Sequence, residues 1–384
     1  MRKNGRTAAG TQRWKCTDCA MTQSFPRRDH TEQATFLAFI DYVLGKSTQG
    51  QLDGTTTGRS TRRRFAWCWD VPIPPLAVTG EIYDQLFIDG IYLPYKWVLL
   101  TAVNQRGEVV ARQWAARENA AAYTALLKDL PPPMLITCDG AGGALAALHA
   151  VWGKDAPPVQ RCLIHVHRNN IRDLTNQPKT AAGQALKALS KRLLKIRTLD
   201  HAAAWTALLA QFHSQYTHWL SERTYASEDP DEARRRGKTR STQWWYTHTR
   251  DRRVHKRLER LSRQGSLFAY LTVTPGEVLH ATTNIAESLN ARLHAVCYHH
   301  RGLSQPHLLA AIDWTLYYQW VAPRPTHQIY TRWTHTGRPH RRIIPKKQQP
   351  DDPRIGPALY DTGLTAEEGL WTRKGWAGRS WHAA

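Results

Sequence analysis

The run QLFIDGIYLPYKWVLLTAV, from Gln85 to Val103, constrains the fold more than any other stretch of the chain. It reads as two adjoining apolar strands, yet Asp89 stands inside the first, among Leu86, Phe87, Ile88, Ile91 and Tyr92. An ionised carboxylate is costly to bury unless something compensates its charge. Two arrangements avoid that cost. Asp-Gly between apolar residues is a two-residue hairpin turn signal, which places Asp89 and Gly90 in water between two very short strands. Alternatively, one strand runs through Asp89 and presents its carboxylate to a metal ion at the centre of a sheet. The run alone leaves both open.

The following residues favour a sheet. QLFIDGIYL, YKWVLLTAV and EVVARQWAA read as three consecutive strands, separated by Pro94 and an NQRG turn. NAAAYTALLKDL is an amphipathic helix stopped by Pro131, Pro132 and Pro133. MLITCDG is a short apolar strand ending at Asp139, the pattern of a strand buried on both faces. AGGALAALHAVW reads as a small-residue helix and PPVQRCLIHV as a fifth strand, on which Cys162 and His165 point to opposite faces. This is the element order of a ribonuclease-H-like domain, assigned to residues 81–172. In such a sheet the strands of Asp89 and Asp139 are neighbours, and two adjacent carboxylates repel unless a divalent cation relieves them.

The 384 residues carry a net charge of +22, which favours a polyanionic partner, with nucleic acid the foremost. No apolar run is long enough to span a bilayer, so a membrane partner is not expected and the expected location is the cytoplasm, with the nucleoid. Residues 1–28 are basic and turn-rich, and Cys16 and Cys19 in RWKCTDC have zinc-knuckle spacing. Four ligands are needed, and His30 and Cys68 lack the paired spacing of a ribbon, so the segment reads either as two free thiols or as half of a zinc ribbon whose other half lies upstream of Met1. Residues 29–80 read as a helix-turn-helix. TEQATFLAFIDYVLGK supplies one helix, with Phe36, Leu37, Ile40, Val43 and Leu44 as its stripe; Ser60 caps a second, carrying Arg62, Arg63 and Arg64 for a DNA groove.

Residues 173–280 read as an all-helical, basic insertion, residues 281–322 as a return to the catalytic domain, and residues 323–384 as a basic tail rich in Pro and Trp. In TTNIAESLNARLHAVC, Ile285, Leu289, Leu293 and Val296 form an apolar stripe. Glu287 lies opposite, where it also fits a capping box begun by Asn284.

Taken in order, LFIDG, LITCDG, QRCLIHVHRN and NIAESLNARL resemble the DDE transposases of bacterial insertion sequences, in the group related to the eukaryotic Mutator elements. The resemblance implies an α/β fold: a ribonuclease-H-like catalytic domain interrupted by a helical insertion, behind a partial zinc ribbon and a helix-turn-helix. It implies that Asp89, Asp139 and Glu287 bind two Mg²⁺ or Mn²⁺ ions, with Zn²⁺ at Cys16 and Cys19 as a further cofactor. It gives Cys162 and His165 a supporting role, and Arg168 and Asn169, just past the fifth strand, are read as phosphate contacts. The implied activity is metal-dependent 3′-end cleavage and strand transfer on terminal inverted repeats and target DNA, by a homo-oligomer. Two alternatives stand beside it: a ribonuclease-H-like nuclease or resolvase without strand transfer, and a domesticated, non-catalytic DNA-binding protein.

Overall fold

The computed structural model describes residues 1–8, 10–24, 28–54, 56–76, 78–274 and 278–335. These fall into two compact units, one built from 1–77, 93–95 and 290–335, the other from 78–92 and 96–289.

The first unit opens with β1 (Arg2–Arg6), β2 (Gln12–Lys15) and β3 (Thr22–Ser24), an antiparallel sheet in that order. Helices α1 (Arg28–Leu44), α2 (Gln49–Asp53) and α3 (Arg59–Phe65) follow. The buried stripe of α1 is Phe36, Phe39, Ile40 and Val43, whereas Leu37 and Leu44 are exposed. The short α2, not anticipated, is held by a capping box between Thr48 and Gln51. The basic helix begins after Gly58 rather than at Ser60. Gly58 is left-handed (φ 60°), and a Cβ there would lie 2.6 Å from Gln49, so both conformation and space require glycine. The Asp53 carboxylate accepts from the Thr61 backbone N–H at 2.9 Å, tying α2 to α3.

In the second unit, β4 (Leu86–Tyr92), β5 (Val98–Asn104) and β6 (Val109–Ala115) lead into α4 (Ala120–Leu127), β7 (Ile136–Cys138), α5 (Gly142–Trp152) and β8 (Val159–Arg161). They form a mixed five-stranded sheet in the order β6-β5-β4-β7-β8. The first three strands are antiparallel, and β7 and β8 run parallel to β4. Every residue of β5 is buried, as a central strand covered on both faces demands. The turn reading of Asp89-Gly90 fails: β4 passes straight through, pairing Asp89 with Thr101 and Gly90 with Leu100.

PPVQRCLIHV is not all strand. β8 ends at Arg161, and Cys162 is the N-cap of α6 (Leu163–Leu174). A short apolar run does not reveal its period; here Leu163, Val166, Asn170 and Leu174 are buried at helical spacing, so the helix wins. There follow α7 (Ala181–Leu193), α8 (Leu199–Ser221), β9 (Arg223–Tyr225), α9 (Pro230–Arg235), β10 (Trp244–Tyr246), α10 (Thr249–Arg263) and α11 (Ala269–Thr272). Leu186, Leu193, Trp205, Val254 and Leu258 contribute to one hydrophobic core there. The region is not all-helical, because β9 and β10 pair antiparallel, Trp244 opposite Tyr225. The aromatic and β-branched residues Thr224, Tyr225, Trp244, Trp245 and Tyr246 suit strands, and the Arg223 guanidinium lies 4.0 Å above the Trp244 ring.

Helix α12 (Asn284–His299) starts in the second unit and, from Asn290, counts with the first, which also holds α13 (Gln305–Tyr318) and α14 (Thr326–His335). Phe36 of α1 meets Trp314 of α13 edge to face at 5.8 Å. Helix α14 occupies the start of the stretch read as an extended tail, and GRPHRRIIPKKQQPDDP lies outside the described residues. No helix of the described residues is long and apolar enough to cross a membrane.

Candidate functional site

Parallel pairing of β4 and β7 sets Leu86 beside Ile136 and Phe87 beside Thr137. Asp89 and Asp139 each lie two residues further on. Because strand side chains alternate, two equal steps bring both carboxylates to the same level and the same face. The Gly90 backbone N–H donates to Asp89 Oδ1 at 3.0 Å, and the Ala141 N–H to Asp139 Oδ1 at 2.8 Å. Burial pushes the Asp89 carboxyl up to about 6, and the Asp139 charge adds to the shift; the Gly90 N–H and His165 oppose it.

A fourth acidic side chain, absent from the sequence reading, lies near the pair, against the backbone of Gly90. Glu118 precedes Asn119, the N-cap of α4, and is pushed up to about 7 by burial and then by Asp139 and Asp89. A Cβ at position 90 would lie 1.7 Å from Glu118 Oε1, so the glycine beside Asp89 makes the space for this carboxylate. In sequence, a Glu just before an Asn-capped helix reads as an ordinary acid near a helix N-terminus, favoured by the helix dipole. The only available sign was that its helix follows the strand meander containing Asp89.

Glu287 lies in the first turn of α12. Asn284 is already helical, so the expected capping box does not form; instead Thr283 Oγ1 donates to Glu287 Oε1 at 3.3 Å. Its carboxylate is also 3.7 Å from Arg168 Nη1 and 3.9 Å from His165 Nδ1, so it does not simply face water. Cys162 and His165 sit at the N-cap and third residue of α6 and share one side, contrary to the opposite faces of a strand. Arg168 and Asn169 are likewise on α6 rather than beyond a strand. The thiol, imidazole and carboxylate of Cys162, His165 and Glu287 place their ligand atoms within 4.8 Å of one another, a group that could hold a metal ion. Among the described residues this is the group of three with that spacing; Glu287 stands with Cys162 and His165 rather than within that reach of both Asp89 and Asp139.

The electrostatics of the cysteines separate them. Burial pushes Cys162 up, but hydrogen bonds from His165 and Thr283 more than offset it and leave the thiol below its usual value. His165 is raised, first by the Cys162 sulfur. Burial drives Cys138 up to about 12 and Cys297 up to about 11, and it raises Cys68 as well. Cys16, in the turn between β2 and β3, is lowered to about 7 by the backbone N–H groups of Cys19 and Asp18. No third ligand joins Cys16 and Cys19 among the described residues, and the His30 side chain lies outside them.

On α3, Arg62, Arg63 and Arg64 are exposed. Arg62 leans back onto Gln49 Oε1 at 3.3 Å, while the Arg64 guanidinium lies 5.0 Å above the Phe65 ring.

Compared with protein-family models the chain matches none, and comparison with curated proteins returns no match.

Proposed function

We propose that the chain is a DNA strand transferase of the DDE type, and one observation carries the reading: Asp89 within β4 and Asp139 just past β7 each stand two residues beyond the parallel Phe87–Thr137 pair, with the Asp89 carboxyl raised by burial and then by the Asp139 charge. Such a pair is destabilised by its own charge and gains from a hard cation. The strand order β6-β5-β4-β7-β8, antiparallel then parallel, supports a ribonuclease-H-like core, and the helices and hairpin between α6 and α12 occupy the place of the insertion. The donor set fits Mg²⁺ or Mn²⁺, since Asp89 and Asp139 offer carboxylate oxygens alone. Divalent ions held there would supply Lewis-acid stabilisation to the oxygens of a phosphodiester displacement.

The chain's own groups have distinct parts in this reading. Asp89 and Asp139 would hold and orient the cations. Glu287, 3.7 Å from Arg168, would complete the set. The exposed Arg63 and Arg64 on α3 approach the phosphates of the element's end, while Arg168 and Asn169 on α6 meet those near the cut. The net charge of +22 supports a polyanionic substrate.

The test uses duplexes from the DNA flanking the coding sequence, incubated with Mg²⁺ or Mn²⁺. A free 3′-OH at the element's end, and joining of precleaved ends to a target, are expected. Asp89→Asn should bind the ends and not cut them; retained cutting removes Asp89 from the site. Cutting without joining favours a nuclease or resolvase, and binding without cutting under any cation favours a regulator.

A further inference from the structure

The thiol–imidazole–carboxylate cluster is not explained by hard-ion chemistry, which has no use for sulfur. Three geometric facts bear on it. First, the Cys162 sulfur, fully buried, accepts from the Thr283 backbone N–H at 3.3 Å. The Thr283 hydroxyl lies 3.2 Å from the same sulfur. A backbone N–H aimed at sulfur favours a thiolate, the form that ligates metal. Second, the His165 Nδ1 atom is buried and lies 3.9 Å from Glu287 Oε1. Third, all three ligand atoms fall within 4.8 Å of one another, against an edge of roughly 3.3–3.8 Å in tetrahedral zinc. A rotamer adjustment of about 1 Å would close that gap.

We propose that Cys162, His165 and Glu287 form a site for a thiophilic divalent cation of the zinc class, which withdraws Glu287 from the carboxylate edge of Asp89 and Asp139. One sulfur, one nitrogen and one oxygen suit Zn²⁺ or Co²⁺ and disfavour Mg²⁺. Three protein ligands leave the fourth tetrahedral position to water. Glu287 cannot serve both places at once, so a thiophilic ion at this site antagonises a hard-ion reaction. The binding site stands on geometry alone; the antagonism rests on the strand-transferase reading.

Co²⁺ is the probe, because sulfur ligation gives an intense near-ultraviolet charge-transfer band. The titration uses the full chain with Cys16→Ser and Cys19→Ser, which removes the exposed knuckle. We expect a band at one equivalent, displaced by equimolar Zn²⁺, lost in Cys162→Ser and weakened at least tenfold in affinity by Glu287→Gln. Asp89→Asn should leave the band unchanged. No band, or a band indifferent to both Cys162→Ser and Glu287→Gln, overturns the site; thermal melts of each variant without metal identify any loss that is merely unfolding, in which case Glu287→Gln decides. With Mg²⁺ and DNA, micromolar Zn²⁺ should inhibit cleavage of the Cys16→Ser, Cys19→Ser protein, and Cys162→Ser should relieve that inhibition at least tenfold. Inhibition unchanged by Cys162→Ser overturns the antagonism. A cobalt band without any Mg²⁺-dependent cleavage would sink the strand-transferase reading and leave the site standing.

Discussion

Asp89 and Asp173 are both half-buried carboxylates of the second unit, and their surroundings are opposite. Asp173, on α6, faces α10, where Arg253 Nη1 lies 3.0 Å from one oxygen and Arg257 Nη2 2.5 Å from the other. Burial opposes its charge, but the two guanidinium groups overcome that and hold the carboxyl below its usual range. Asp89 has Asp139 for its nearest strong influence after burial, and its carboxyl is raised to about 6. One arrangement is complete without a ligand. The other carries a charge deficit that a cation would relieve. Local charge balance thus separates a carboxylate that holds helices together from one that is held ready by them.

The widest separation comes from removing each charge. Asp89→Asn or Asp139→Asn should lower Mg²⁺-dependent cleavage by more than about 100-fold, beyond the usual cost of losing an outer-shell group. Melting temperature in the absence of metal should stay level or rise, because repulsion is removed. Asp173→Asn should do the reverse. It leaves Arg257, only 18% exposed, without its carboxylate, and should cost about 2–4 kcal/mol by urea denaturation, the lower figure reflecting the 59% exposure of Arg253. Loss of stability in Asp89→Asn comparable to that in Asp173→Asn would erase the distinction.

Ligand and pH sharpen it next. Millimolar Mg²⁺ or Mn²⁺ at pH 8 should raise the melting temperature of the protein by a few degrees, following the gain of about 2–3 kcal/mol expected at 100 times Kd. Asp173→Asn should retain the increment and Asp89→Asn should lose it. For pH the signs differ. The folded protein holds protons on Asp89 and Glu118 to about 6 and about 7, above the unfolded value near 4, so their contribution falls as pH rises through that window. For Asp173 the folded value is depressed, so its contribution is present above about 4 and lost as pH falls through the folded value. Glu118→Gln should therefore gain stability relative to the parent chain as pH rises from 5 to 8, and Asp173→Asn should lose its deficit only in strong acid. Parallel melting curves for Glu118→Gln and the parent across that range would remove Glu118 from the neighbourhood of the pair.

Much of the sheet could be read from sequence because its signals are local. The strands around Leu86, Leu100 and Val110 alternate or run apolar between clear turns, and Asp89 and Asp139 take their positions from those strands. What escaped depends on contacts distant in sequence. Cys162 looked like strand because LIHV is short and apolar, and only burial of Leu163, Val166 and Leu174 at helical intervals fixes the period. Thr283 is 121 residues from the sulfur it touches, and Glu118 reveals itself only through the space above Gly90. Helical phase put Glu287 on the polar side of α12 and could not say that Arg168 and His165 would be waiting there.

The smallest effect tests the link between the two environments. Arg168, 60% exposed, is 3.7 Å from Glu287, long for an ion pair and open to solvent screening. Its attraction is worth no more than about 1 kcal/mol, and it competes with a cation for the Glu287 carboxylate. Arg168→Ala should therefore leave stability within about 0.5 kcal/mol and tighten Mg²⁺ binding by up to about fivefold, read from the cation dependence of the melting temperature without DNA. Arg168→Lys keeps the charge but gives up the planar fork, and should fall between the two. Cleavage would respond differently if Arg168 also contacts phosphate: the alanine variant would bind the cation more tightly yet hold the DNA less well, and the salt dependence of DNA binding would become shallower by about one contact. Weaker Mg²⁺ binding in Arg168→Ala would mean that the guanidinium steers Glu287 towards the carboxylate edge, and the charge-deficit picture would have to be redrawn with Arg168 inside it.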